Sequence, residues 1–323
     1  MSGIKTSFDG VKLMKTSAPK KLAITVLAGG PGGERDVSLA SGKAVTEALQ
    51  SLGHDVVCGD VGPDNLGALA RQVDCVFVAL HGRFGEDGQI QEILERRGLA
   101  YVGSGPQACA LAMDKARSKA RFAELGIPTP RYAVADAKGV REAVAAWSLP
   151  VVVKPVREGS SLNCFIVRQF EQFRPTVEKI VGEYGSCLVE EYIPGKEVTV
   201  AILGDRSLPP LEIRTKREFY DYQAKYVDED TEYDFSVGLP PDLLESIGRM
   251  SLQAHQGLGC RDFSRVDWRV DERDMKPYAL ELNVIPGLTS HSLLPKAAEK
   301  AGLNMPQMCQ FVVDLAVRRG TRK

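Results

Sequence analysis

No C-x-x-C pair occurs among the seven cysteines, at positions 58, 75, 109, 164, 187, 260 and 309, and their number is odd. This argues against a disulfide framework and a zinc site, and leaves the cysteines as small apolar residues of a reducing compartment. No stretch reaches the ~20 apolar residues of a membrane span. Lys+Arg number 41 and Asp+Glu 42, so there is no charge surplus for nucleic acid or a membrane surface. An anionic ligand must be held by local charge. Two familiar phosphate loops are missing as well. Gly42-Lys43 has neither the upstream glycine nor the following hydroxyl residue of a Walker A loop, and in GGPGGERD Arg35 stands where G-x-G-x-x-G needs its last glycine. A P-loop NTPase and an ordinary dinucleotide dehydrogenase are thereby disfavoured. Residues 1–20 carry Lys5, Lys12, Lys15 and Lys20 without an apolar core, which reads as a loosely ordered leader and not as a signal peptide.

What is present is ordinary globular material: 323 residues, 44% hydrophobic and 26% charged, enough for two or three domains. LAITVLAGG (22–30) reads as a buried strand, 36–53 as a helix closed by Gly53, and DCVFVAL (74–80) as a second buried strand. Strand, helix, strand in this order predicts a parallel sheet with right-handed crossovers. Ligand groups of such sheets sit at the carboxyl ends of the strands, which places 29–34 and 81–87 on one rim. Beyond Gly103 the spacing predicts a basic helix over 113–126, strands over 149–156 and 187–193, and a Gly-Ser-Ser turn between them. Lys115, Arg117, Lys119 and Arg121 read as a solvated helix face. A third unit runs from a strand at 197–203 through an aromatic and acidic loop (219–234) and a helix at 241–257 to two strands, FSRVDWRV (263–270) and KPYALELNV (276–284).

Those last strands carry the most chemistry. Side chains at i and i+2 share a face, so Arg265 and Asp267 point together on one strand, and Glu281 and Asn283 on the next. The short DERDMK connection makes the two a hairpin. Oxygen donors with no His or Cys among them suit magnesium, and an Arg265–Asp267–Glu281 ion-pair cluster accounts for the same residues; the pattern alone leaves both readings open. Lys154, ending the apolar run VVVK just before the Gly-Ser-Ser turn, is the stronger candidate for a phosphate. Asp87 in GEDG reads as the cap of the helix that follows.

The segments GGERDVSLASG, ALHGRFGEDG, GSGPQACALAMDK, VVVKPVREGSS, VEEYIPGKEVTVAIL, FYDYQAKY, SRVDW and ELNVIPGLTSHSLLP, in this order, resemble the D-alanine–D-alanine ligases of the ATP-grasp superfamily. The resemblance runs from about Lys21 to the C-terminal helix. It implies an α/β, three-domain ATP-grasp fold: after the leader, an N-terminal parallel-sheet substrate domain (21–103), a small central α+β domain (104–190) and a C-terminal mixed-sheet catalytic domain (191–323). It implies ligation of two D-alanines through a D-alanyl phosphate, with the D-alanyl-D-lactate and D-alanyl-D-serine ligases as sister activities and a silent ATP-grasp protein as a further alternative.

Residue by residue, the resemblance implies that Lys115, Lys154 and Lys225 hold ATP phosphates, that Glu190 meets the adenine amine, that backbone groups of Glu191 and Ile193 complete the adenine edge, and that Glu197 meets the ribose. Asp267, Glu281 and Asn283 match the ligands of two Mg2+ ions, which Mn2+ could replace; a monovalent cation is a further expectation. Glu34 matches the partner of the first substrate's ammonium, with Ser160 and Tyr226 completing a triad and His81 beside them. Arg265 and the Gly287 N–H match oxyanion donors, and Ser292 and Leu293 contacts to the second D-alanine. Neither nucleic acid nor membrane is expected as a partner; a homodimer in a bacterial cytoplasm is. Three departures stand out: Gly32-Gly33 before Glu34, Leu162-Asn163 after the serines, where Asn tolerates left-handed backbone, and Val284 after Asn283.

Overall fold

The computed structural model describes residues 20–217 and 230–320. Three sheets organise the chain. The first runs through β1 (Ala23–Gly29), β2 (Asp55–Val61), β3 (Cys75–Val78) and β4 (Tyr101–Val102), all parallel in the order β2-β1-β3-β4, with α1 (Arg35–Ser51) crossing from β1 to β2. The apolar runs that predicted buried strands are buried: Ile24, Val26, Leu27, Val76 and Phe77 are fully inaccessible. Each such side chain contributes roughly 1.5–3 kcal/mol relative to exposure. The carboxyl ends of β1 and β3 lead into Glu34 and His81, as strand order requires. The helix α2 (Gln89–Arg96) follows; Asp87 accepts the Gln89 N–H at 3.1 Å and the Phe84 N–H at 2.9 Å, a structural role at its start.

Helices α3 (Pro106–Met113) and α4 (Lys115–Glu124) lead to the second sheet. It is antiparallel, order β5-β8-β6-β7, from β5 (Tyr132–Asp136), β6 (Val151–Pro155), β7 (Phe165–Val167) and β8 (Ser186–Glu191), flanked by α5 (Val140–Ala145) and covered by α6 (Phe170–Tyr184). Its core is separate: Val151, Val153 and Val189 meet Phe173, Val177 and Ile180 of α6. The third sheet takes β9 (Lys196–Leu203), β10 (Arg206–Ser207), β11 (Leu211–Arg214), β12 (Glu232–Asp234), β13 (Phe263–Asp271) and β14 (Lys276–Asn283) in the order β12-β11-β9-β13-β14, with β10 on β9. Behind it pack α7 (Pro241–Gly257) and α8 (Leu293–Lys300), while α9 (Met305–Gly320) packs against α1, β3 and β4; the apolar face of the third sheet is continuous with the core of the first. Among the described residues, no helix is long and apolar enough to cross a membrane.

The β13–β14 hairpin has the expected register, with Asp267 opposite Glu281 and Arg265 opposite Asn283. Beyond it the ladder slips: Trp268 pairs with Ala279, so Leu280 is an extra residue, a bulge on β14.

Candidate active site

An open cleft of about 840 Å³ lies between the second and third sheets. Val152, Lys154, Ile166 and Glu190 wall it on one side, and Glu197, Asp267, Arg269, Leu280 and Glu281 on the other; Lys115, Glu191 and Ile193 complete it. The residues singled out in four separate segments of sequence therefore meet in one place.

The charges at its floor are ordered. Glu190, 2% exposed, is gripped from both sides: Lys154 donates to Oε1 at 2.6 Å, and Lys119 lies 2.9 Å from Oε2. Burial by itself would raise the carboxyl; the two ammonium groups more than offset it and hold Glu190 below the usual range. Burial likewise opposes the charge on Lys154, yet Glu190, aided by Cys164 and Glu281, leaves that lysine raised. Lys119 goes the other way, to about 8, because it is wholly buried and the nearby Lys154 outweighs part of what Glu190 returns. The reading of α4 as a solvated face is corrected here. Lys115 and Lys119, one helical turn apart, are buried, while Arg117 is exposed and Arg121 half-buried. An alternating run of basic residues does not say which of them faces inward. Lys115 donates to the Glu158 carbonyl and stands 3.5 Å from Glu281. Glu197 pairs with Arg269 at 3.3 Å, and Arg269 also donates to the Ile193 carbonyl at 3.1 Å.

On the hairpin face, Arg265 makes a two-pronged contact with Asp267, 2.8 Å to each oxygen, and Thr199 donates to the same carboxylate at 2.6 Å. Among the described residues, no group of three or more His, Cys, Asp or Glu side chains is gathered as a metal site. What the hairpin offers is two carboxylates and one amide, all hard oxygens, opposite or next to one another in register. That donor set fits magnesium, which takes only one or two carboxylates and completes its shell with phosphate and water. Arg265 and Lys115 compensate the same two carboxylates.

A second, smaller cleft shares Lys115, Glu158 and Glu281 with the first and continues past Asn283 and Val284 to Glu86 and Gly159. It leads to Glu34. That carboxylate precedes α1, is buried, and accepts a hydrogen bond from Ser160. Two glycines shape its seat, since a Cβ on Gly82 would come 2.5 Å from Glu34 Oε2 and one on Gly159 2.8 Å from it. The turn that brings Ser160 there is strained: Ser160, Ser161 and Asn163 have φ of 50°, 56° and 53°. Asn163 adopts the left-handed backbone expected of it; the two serines do so with no signal in the sequence. His81 is buried and within hydrogen-bond distance, 3.1 Å, of Ser41, whose hydroxyl accepts the Leu288 N–H at 3.2 Å. Burial keeps its imidazole below the usual histidine range, against the pull of Glu34.

Sequence reasoning missed Glu86 and Lys119. Glu86 accepts the Gly82 N–H at 2.7 Å and the Ile285 N–H at 3.3 Å, joining the first sheet's rim to the loop after β14. Its carboxyl is pushed up to about 8, by burial first and the neighbouring Glu34 second. Only the GEDG context hints at it. In the loop after β14, Ser292 Oγ would lie 2.6 Å from a Cβ on Gly287, so a side chain there would have to displace Ser292. Ser292 precedes α8, accepts the Thr289 N–H at 3.1 Å, and is followed by the buried Leu293. Lys225 and Tyr226 lie outside the described residues. Five cysteines are buried, as expected, whereas Cys58 is exposed and Cys164 lies in the cleft wall.

Comparison with known proteins bears on this geometry. Family profiles described as D-ala D-ala ligase N-terminus and D-ala D-ala ligase C-terminus match residues 58–104 and 122–314. The D-alanine--D-alanine ligase of Anaeromyxobacter sp. (strain K) is 41% identical over 305 residues, 93% of this chain and 98% of the relative. That of Azoarcus sp. (strain BH72) is 43% identical over 302 residues, 93% and 97%. Among solved structures, D-alanine--D-alanine ligase from Bacillus anthracis complexed with ATP superposes with a TM-score of 0.79 at 28% identity, covering 93% of this chain and 99% of that one. The VanG D-Ala:D-Ser ligase from Enterococcus faecalis gives 0.81 at 27%, covering 92% and 100%.

Proposed function

The chain belongs to the D-alanine–D-alanine ligase family, and from that premise we infer that it is an ATP-dependent ligase joining two D-alanines into D-alanyl-D-alanine for peptidoglycan synthesis. The observation that carries the reading is that the lysine-bearing cleft and the smaller one share Lys115, Glu158 and Glu281, and that the smaller one is lined by Asn283 and by Gly159, which abuts the buried Glu34. Relatives over 40% identical across nearly the whole chain favour D-alanine over D-serine or D-lactate as the second substrate. The three sheets support a division into an N-terminal substrate unit (21–103), a central unit (104–190) and a C-terminal catalytic unit (191–323).

In this reading ATP lies in the cleft with its base at Glu190 and the Glu191–Ile193 backbone, its ribose at Glu197, and its phosphates at Lys115 and Lys154, with Lys225 joining them. Asp267, Glu281 and Asn283 would hold two Mg2+ ions, which neutralise phosphate charge when bound. Glu34, held by Ser160 and assigned to a triad with Tyr226, receives the ammonium of the first D-alanine; His81 flanks it. The carboxylate of that D-alanine attacks the γ-phosphorus, giving D-alanyl phosphate and ADP. An anion meets an anion there, and the lysines lower the repulsion and keep the displacement in line. The amine of the second D-alanine, bound by Ser292 and Leu293, then attacks the acyl carbon. Arg265 and the Gly287 N–H receive the tetrahedral oxyanion; phosphate leaves and the peptide bond is complete. Gly287 suits that part because a bare Cα lets the amide approach closely.

Purified protein should release ADP only when ATP, Mg2+ and D-alanine are all present, with D-alanyl-D-alanine as product. Ligation of D-serine (a dipeptide) or D-lactate (an ester), but not of D-alanine, as the second substrate would overturn the assignment. We also propose a cytoplasmic homodimer, to be checked by sedimentation.

A further inference from the structure

Two lysines hold Glu190, and only one of them can reach a nucleotide. Lys154 lines the cleft. Lys119 is 0% exposed, behind the cleft wall, and is fixed there by a second contact: it donates to Thr129 Oγ1 at 2.8 Å. Thr129 in turn donates to the Ala279 carbonyl of β14 at 2.8 Å, and the Ala279 N–H returns to the Pro128 carbonyl at the same distance. Lys119 is thus tied to both sheets that form the cleft, whereas Lys154 ends a strand and faces the ligand space.

We propose that Lys119 is a positioning residue that keeps Glu190 ionised and in place while Lys154 serves the phosphates, and that it thereby sets the base selectivity of the cleft. The inference rests on the reading of this cleft as an ATP site with Glu190 at the base. When Lys154 turns toward a phosphate, Glu190 loses one of its two cations. A carboxylate buried to this degree without a counter-charge takes up a proton or swings after the departing lysine. Lys119 prevents both, because nothing in the cleft can reach it. The protonation state of Glu190 decides which purine fits. An ionised carboxylate only accepts hydrogen bonds, so it receives the 6-amino group of adenine and repels the 6-oxo group of hypoxanthine or guanine. A protonated or displaced Glu190 loses that discrimination.

The test compares ATP with inosine triphosphate as phosphoryl donor for the full-length protein, with D-alanine saturating. Lys119→Met keeps the length of the side chain and removes its charge. We expect the ATP-to-inosine-triphosphate ratio of kcat/KM to fall about tenfold or more, through KM, with kcat for ATP changed by less than about threefold. A merely structural lysine would change the yield of folded protein or move both nucleotides together. Thr129→Val loosens the tether and leaves the charge; it should lower the same ratio about twofold to threefold. If Lys119→Met folds with the wild-type ratio, the inference is wrong; if it does not fold, an unchanged ratio in Thr129→Val overturns it instead. Wild-type protein that shows no preference between the nucleotides would overturn the assignment of the base to Glu190 itself.

Discussion

At the cleft floor two lysines surround one carboxylate, Glu190; at the rim of the first sheet two carboxylates, Glu34 and Glu86, lie buried within reach of each other. At the floor two ammonium groups share the single carboxylate of Glu190, and of the two only Lys154 lines the cleft. The rim is the reverse. Its histidine is held toward the neutral form by burial, and Glu34 and Glu86 are served by a serine hydroxyl and backbone N–H groups. A buried cluster favours the ligand whose charge completes it, which on the proposed reading is a triphosphate at the floor and an ammonium at the rim. On that reading the two substrates of the first half-reaction are sorted by sign before any shape is matched.

The strongest way to break the contrast is to empty the floor of its ligand-facing cation. Lys154→Met should lower kcat/KM for ATP about 10²–10³-fold, the scale for losing one preorganised donor, while the protein still folds with Lys119 on Glu190. Steady-state kinetics with ADP release as the readout checks it. Next comes the rim. Glu34→Gln removes the charge that an ammonium needs and should raise KM for the first D-alanine about 30-fold, near 2 kcal/mol, leaving KM for ATP almost unmoved. If both constants rise together, the two regions are not independent.

Glu86 sharpens the comparison through pH. Its carboxyl is raised to about 8 in the native protein against an ordinary value of 4.5. The native state then holds a proton the unfolded state releases, so the stability Glu86 contributes is complete below about pH 4.5 and drains away as pH climbs through about 8. Urea midpoints measured from pH 5 to 9 should fall more steeply for wild type than for Glu86→Gln. Parallel curves would mean that Glu86 holds no extra proton in the native state. The smallest expected effect is at Gly159. Its substitution by Ala crowds Glu34 by a single methyl group and should raise KM for D-alanine severalfold, about 1 kcal/mol, without changing the thermal midpoint by more than a few degrees.

Much of this was legible in the residues themselves. The buried strands announced themselves as unbroken apolar runs, and strand periodicity put Arg265, Asp267, Glu281 and Asn283 on one face. What the sequence pattern could not supply was depth. Lys119 sits in the same alternation as Arg117 and Arg121, and only the packing of α4 against β14 and the second sheet makes it a buried partner of Glu190. Glu86 stands among glycines that suggest a turn, while its partners come from Gly82 and, 199 positions away, Ile285. The left-handed serines were hidden for a different reason. Serine has no preference for that backbone, and its contact with Glu34 overrides local propensity.

The bulge at Leu280 has an arithmetical consequence. Along a regular strand every core position shares one parity, yet on β14 Ala279 and Leu282, one odd and one even, are both buried. The extra residue switches the count. It lets Leu280 and Glu281, neighbours in the chain, line the same cleft, so a hydrocarbon wall stands directly beside a carboxylate. A strictly alternating strand would force a choice between the two, with grease or charge at that point of the cleft but not both. By yielding one rung of its ladder, the strand presents an apolar and a charged surface side by side in the cleft.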